Sequence, residues 1–250
     1  MAITKLGDII RRTELVLQDA TAARWTLLEI QDWVNDAYKE ITLMRPDANS
    51  TTAPAVYLTP GSTRQRLSDL AVLAANVAIA TQLAGALRVL NVTRNTAATS
   101  TKQSIRYIDQ RILDDQKPTW HADTPAVTVL HWMFDIRIPK EILVYPAPTA
   151  LTTIEIAISS VPAPHAVATE ALLAAEKALP AITINLDDIY ANAVLDYVLY
   201  RCYSKDADYA ANGQRAVSHM NAFITSLGGK TASDSATAPA SVTPMTGRGA

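Results

Sequence analysis

Residues 25–46 read WTLLEIQDWVNDAYKEITLMRP, and this stretch decides the fold. Thr26 and Glu29 form a capping box, in which each side chain satisfies a free backbone N–H at a helix start. Trp25 and Ile30 stand where a hydrophobic staple fixes the entry of the chain. Leu27, Ile30, Val34, Ala37, Ile41 and Met44 then recur at three- and four-residue steps, the period of one helix face. Arg45-Pro46 ends the run, because the residue before proline avoids helical angles. A helix with one apolar stripe must bury it against another element.

The partners lie at the two ends of the chain. Upstream, Ile3, Leu6, Ile10, Thr13 and Leu17 predict a helix over 3–17. Downstream, Asp187 caps a helix to about Ser204. A last helix spans about Asp206 to Leu227, with Val217, Met220, Ile224 and Leu227 on one face. Gly228-Gly229 is read as its stop, since glycine accepts the left-handed angles of a C-cap. Ala210, Ala211, Gly213 and Ala216 suggest close helix packing, with a bend at Gly213 as the alternative.

Between the helices the pattern changes to period two. Val56–Leu58, the Pro60-Gly61 turn and Arg64–Arg66 read as strand, turn and strand. Leu87–Thr93 and Ser104–Tyr107 read as strands, and Asp109 caps a short helix ending near Pro118. Val127–Phe134, Glu141–Tyr145 and Thr152–Ser160 read as an antiparallel meander, with Ile154, Ile156 and Ile158 on a buried face. Alanine-rich stretches at 69–84 and 170–179 read as helical. Residues 230–250 are rich in Ala, Ser, Thr, Pro and Gly, a composition that does not fold alone. The expected class is therefore α+β. A helical bundle from 1–46 and 186–229 carries an inserted antiparallel β-rich subdomain at 47–185, and 230–250 forms an extended C-terminal arm.

Composition narrows the function. The 250 residues carry a formal net charge of -2, which argues against a general nucleic-acid binder. Hydrophobic content of 49% against 18% charged is that of a folded chain. Cys202 is the only cysteine, so no intrachain disulfide forms, as suits a reducing cytoplasm. The N-terminus has no signal-peptide apolar run. Leu70–Leu90 is interrupted by Asn76, Thr81, Gln82 and Arg88, too polar for a membrane span.

No residue pattern advertises catalysis. Asp114-Asp115 and Asp187-Asp188 are adjacent in sequence, so each pair diverges on a helix and reads as a helix end or cap. His121, His131, His165 and His219 share no metal-ligand spacing. Trp120-His121 reads as a packed loop, and Cys202 as a buried inert thiol. No glycine-rich phosphate loop or nucleophile elbow occurs, so no catalytic residue, metal or cofactor is expected. The tyrosines say more. Tyr190, Tyr197, Tyr200, Tyr203 and Tyr209 crowd one region, and residues 189–203 are apolar around most of a helix. Such a helix is buried on all sides, by its own core, by a neighbouring subunit, or by both. Tyr190, Tyr197, Tyr200 and Tyr203 are thus interface candidates, as are Val242, Pro244, Met245 and Arg248 in the arm.

Several stretches, in this order, resemble a family of tailed-phage, podovirus-like head-to-tail adaptor proteins. They are Arg24-Trp25-Thr26 with Glu29-Ile30 and Trp33–Ala37; Arg45–Ala48; Val92–Asn95; Pro118–His121; Val144–Pro146; and Asp188–Tyr190 through Asp196–Arg201 to Ser204–Asp206. The alanine-rich stretches at 69–84 and 168–180 depart from the family pattern as insertions. The resemblance implies a structural protein of the head-tail neck, made in the host cytoplasm. It implies a twelvefold homo-oligomeric ring bound to the portal and to a tail or nozzle protein. DNA would pass through its channel without sequence-specific binding, and no membrane would be involved. The alternatives are a virion-associated tail hydrolase and a tail-tube or stopper protein.

Overall fold

The computed structural model describes residues 4–72, 77–100, 102–206 and 210–237. In chain order its helices are α1 (Leu6–Leu17), α2 (Leu27–Met44), α3 (Val77–Ala84), α4 (Gln110–Gln116), α5 (Glu170–Ala178), α6 (Ala191–Lys205) and α7 (Ala210–Thr237). The strands are β1 (Ser50–Tyr57), β2 (Arg64–Arg66), β3 (Ala71–Val72), β4 (Ala86–Asn95), β5 (Arg106–Tyr107), β6 (His131–Phe134), β7 (Glu141–Tyr145) and β8 (Thr153–Ser160). The fold is α+β, in two compact units. One holds the chain up to Met44 and from Ala163 onward; the other holds Arg45–Pro162.

In the helical unit, α6 packs against α1, α2 and α7, and α5 packs against α1 and α2. The capping box of α2 forms: Thr26 N donates to Glu29 Oε2 at 3.2 Å and Glu29 N donates to Thr26 Oγ1 at 3.3 Å. Trp25 and Ile30 are both buried, as are Leu27, Val34, Ala37 and Ile41 of the stripe; Met44 is partly exposed. The stripe also takes in Tyr38, fully buried. On α1 the buried face is Leu6, Gly7, Ile9, Ile10, Thr13 and Glu14.

Residues 163–185 belong to this unit and not to the β-rich insertion in which the sequence pattern places them. Polar side chains recruit them. Glu170 of α5 caps α2, accepting Leu27 N at 3.0 Å and Leu28 N at 3.1 Å. Glu176 is buried and accepts Ala181 N at 3.0 Å, Ile182 N at 2.9 Å and Gly7 N at 3.4 Å. Gly7 permits this approach: a Cβ there would lie 2.2 Å from the Glu176 carbonyl oxygen.

The last helix departs from expectation in two ways. It runs through Gly228 and Gly229 to Thr237, so any extended arm begins after 237 and not at 230. Each glycine costs a helix about 1 kcal/mol, too little to stop one by itself. The inward face is Asn212, Ala216, Phe223 and Leu227, while Val217 and Ile224 are exposed. Gly213 touches nothing: an added Cβ meets no atom within 4 Å, so close packing is not the reason for it.

In the second unit two four-stranded sheets share one core. Their orders are β3-β1-β8-β4 and β2-β7-β6-β5, antiparallel except for the parallel β5–β6 pair. Val56, Val89, Val92, Ile154, Ile156 and Ile158 from the first sheet meet Trp132, Ile142 and Val144 from the second. The other face of the second sheet is covered too, where Met133 packs with Leu113 of α4 and Trp120. β1 and β2 form on either side of the Pro60-Gly61 turn as read, and they join different sheets. β6 and β7 pair as a hairpin, yet β8 crosses to the first sheet, so the expected three-stranded meander does not form.

Candidate functional site

Three groups of residues were candidates for function: the sequence stretches that carry the family resemblance, the tyrosines, and whatever apolar surface the fold leaves uncovered. In the helical unit the first and last of those stretches converge. Trp25 Nε1 donates to the Cys202 carbonyl at 3.0 Å. Arg24 pairs with Asp206, which also accepts Asn212 Nδ2 at 2.7 Å. Lys205 Nζ lies 2.7 and 2.8 Å from the two Glu29 carboxylate oxygens. That bond, chiefly, holds the Glu29 carboxyl below the usual glutamate range. The Glu29 carboxylate thus caps α2 and ties it to the end of α6. Burial pushes the Cys202 thiol up to about 12, so it stays protonated and unreactive.

In the second unit the Pro118–His121 and Val144–Pro146 stretches meet. Trp120 is fully buried, and its Nε1 donates to Asp114 Oδ1 at 2.7 Å. The His121 ring stacks on it at 3.6 Å, with Nδ1 3.2 Å from Thr63 Oγ1. Tyr145 OH donates to Asp123 Oδ2 at 2.8 Å, and Lys117 pairs with the same carboxylate. That ammonium, with the Tyr145 hydroxyl second, holds the Asp123 carboxyl below its usual range. These groups spend their polar atoms on one another. The arrangement ties the loop after α4 onto β7. Asn95 works likewise: its side chain pairs with both Val129 N and Val129 O at 2.8 Å. Among the described residues, no group of three or more His, Cys, Asp or Glu side chains is placed to hold a metal ion. No described helix is long and apolar enough to cross a membrane.

Tyr190, Tyr197 and Tyr203 are buried within their own unit, while Tyr200 is partly exposed. Tyr197 contacts the Tyr200 and Phe223 rings at 5.8 and 5.4 Å, and Tyr203 stacks on His219 at 5.7 Å. These tyrosines therefore bind α7 to α6. Tyr209, Val242, Pro244, Met245 and Arg248 lie outside the described residues.

The uncovered apolar surface lies on α1, α5, α7 and the β6–β7 loop. Leu172 of α5 and Leu179, just past its end, are exposed, the latter at 81%, with Leu15 of α1 at 70%. On α7, Val217 and Ile224 form a second outward stripe. In the β unit, Ile136 stands 74% exposed in the β6–β7 loop, beside Arg137 fixed by Asp135 at 2.8 Å. Periodicity hides them, because alanine-rich α5 reads as uniformly apolar.

A comparison with known families places these features. The chain matches the SU10 adaptor protein family over residues 4–244, which takes in both units. A search of curated proteins returns no match. The stretches that converge on Trp25 and on Trp120 lie within the matched span. The chain belongs to the SU10 adaptor protein family, a family of phage head-tail adaptors, and is a structural component of the virion.

Proposed function

We infer that this chain assembles with copies of itself into a ring, with twelvefold symmetry, between the portal and the tail. The ring binds the portal, offers a platform to a tail or nozzle protein, and lets DNA pass through its channel without reading its sequence. The observation that carries this reading is the family match across almost the whole chain. Uncovered apolar side chains on α5, α1 and α7 support it, since a closed ring needs two different faces on each copy. The near-neutral net charge suits a channel that DNA must leave as readily as it enters. Loops carry variable contacts on rigid scaffolds, so the β unit supplies much of the tail-facing surface. The segment beyond Thr237, with Val242, Pro244, Met245 and Arg248, docks on a partner subunit.

The purified protein mixed with portal rings tests this directly. Negative-stain class averages should show a twelvefold ring added to the portal. Particles that stay monomeric with portal present, or a hydrolase screen that finds cell-wall or polysaccharide cleavage, would sink the reading. Removing residues 238–250 should leave the melting temperature unchanged and sharply reduce attachment to the portal.

A further inference from the structure

The return connection from the β unit enters the helical unit as residues 163–167, tied to α2 at His165 and Val167, while the Ala163 carbonyl accepts Asn185 Nδ2 at 2.7 Å. Two amides one helical turn apart read its backbone. Asn35 Nδ2 donates to the His165 carbonyl at 2.9 Å, and Asn35 Oδ1 accepts His165 N at 2.8 Å. Gln31 Nε2 donates to the Val167 carbonyl at 3.2 Å, and Gln31 Oε1 accepts Val167 N at 3.1 Å. The side chains of α2 thereby act as a neighbouring strand would, bonding residues two apart. One more turn along, the Tyr38 hydroxyl lies 2.8 Å from His165 Nε2 and accepts Asn185 N at 3.2 Å. Both rings are buried.

The latch at His165 is set by the neutral ring. With the Nε2 lone pair free, Tyr38 donates its proton to it while accepting from Asn185. A proton on Nε2 removes that acceptor and leaves the Tyr38 O–H without a partner in a buried place, next to a buried charge. From α2 the ring faces Tyr38, with the neutral amides Gln31 and Asn35 on the backbone beside it. From α5 it feels Glu176, whose charge favours protonation; burial opposes it and prevails, holding the imidazole below its ordinary range.

We propose that residues 163–167 are a releasable strap, latched to α2 while His165 is neutral and freed when the ring takes a proton. Freed, the strap adds five residues to the return connection, about 17 Å of reach at full extension. This would let the β unit reposition on its partners without unfolding the helices. The device needs no ligand, and its trigger is acidification below the ordinary imidazole range.

Hydrogen exchange on the full-length protein tests it, with protection corrected for the intrinsic pH dependence of exchange. Between about pH 7.5 and pH 5.5, protection of the 163–169 backbone should fall by up to about tenfold, the most that one released imidazole with an ordinary pKa near 6.5 can supply over that interval. Protection of 191–205 in α6 should hold. In H165Q the strap's protection should not change with pH. A wild-type strap that is indifferent to pH, or an equal fall in H165Q, overturns the proposal. Should H165Q fail to fold, N35A decides: it keeps the ring but removes two strap bonds. Its strap should exchange freely at pH 7.5 with α6 still protected, and a strap as protected as wild type overturns the proposal.

Discussion

The helical unit and the β unit fasten distant parts of the chain by different means. In the helical unit, polar side chains reach backbone groups more than a hundred residues away: Glu170 to Leu27 and Leu28, Gln31 to Val167, Asn35 to His165, and Glu176 to Gly7. In the β unit, the long-range ties are chiefly backbone ladders, with β8 paired along β1 on one side and β4 on the other, and one amide, Asn49, donates to the Ser160 carbonyl 111 residues on at 2.9 Å. Its buried amides act over shorter spans, Gln65 across six residues and Asn95 across 34. A ladder is backed by alternating apolar side chains, which a sequence displays. A single glutamate that closes two helices displays nothing.

Apolar anchors should have the largest effect, and of equal size in both units. Trp25→Ala removes a buried indole and its bond to the Cys202 carbonyl; Trp120→Ala removes a fully buried indole and its bond to Asp114. Each should cost about 3–5 kcal/mol. Urea titration of the isolated protein, followed by hydrogen exchange, checks both size and place. Trp25→Ala should lower protection in α1, α2 and α6, and Trp120→Ala in β6, β7 and α4. Trp33 is only partly buried, so Trp33→Ala should lose less than half as much. A Trp33→Ala loss equal to that of Trp25→Ala would mean that the α2 stripe has been drawn on the wrong face.

The polar ties come next, and here the comparison can break. Glu176→Ala leaves the N–H groups of Gly7, Ala181 and Ile182 without their acceptor. Orphaned buried donors and a lost charged acceptor together should cost about 2–4 kcal/mol. The damage should spread from α5 to the start of α1, because the tie spans the unit. Gln65→Ala removes the partners of Thr59 N, Thr59 O and Ser62 O, all within six residues. Its loss should stay within the loop between β1 and β2. Exchange that rises across the whole β sheet in Gln65→Ala, or only within α5 in Glu176→Ala, would erase the distinction between long and short ties.

The same distinction explains what was legible in the sequence. The capping box and stripe of α2 and the isoleucine alternation of β8 are local patterns, and they form as read. So does the Asp109 cap of α4, which accepts Arg111 N at 2.9 Å. Residues 163–185 were misplaced because what holds them is the polarity of α2 and α5, residues that a hydrophobic pattern scores as surface. The strand, turn and strand over 56–66 form as read, but the pairing of the two strands was not legible. Turn chemistry at Pro60-Gly61 is real, with Gly61 at φ 72°, but β1 and β2 find their partners in β8 and β7, far along the chain. At the site level, the convergence of the family stretches on Trp25 and Trp120 follows only from the fold. The exposed leucines of α5 and α1 carry no sequence mark, since leucine in an alanine-rich helix looks buried.

The smallest effects should come from glycines, and they should be stabilising. Gly213, Gly228 and Gly229 lie within α7, and none would bring an added Cβ within 4 Å of another atom. None has a positive φ, the one conformation in which alanine would be strained. Replacing each with alanine should therefore stabilise α7 by about 0.5–1 kcal/mol, by reducing the freedom of the unfolded chain. Gly7 is the control within the same unit: Gly7→Ala drives a methyl into the backbone of Glu176 and should destabilise. Helicity by circular dichroism and the urea midpoint of the four single variants give the answer. Gly228→Ala and Gly229→Ala that lower the midpoint would show that the chain needs a break there, returning the start of the arm to residue 230. Three gains set against one loss would establish that the helix runs on because nothing opposes it.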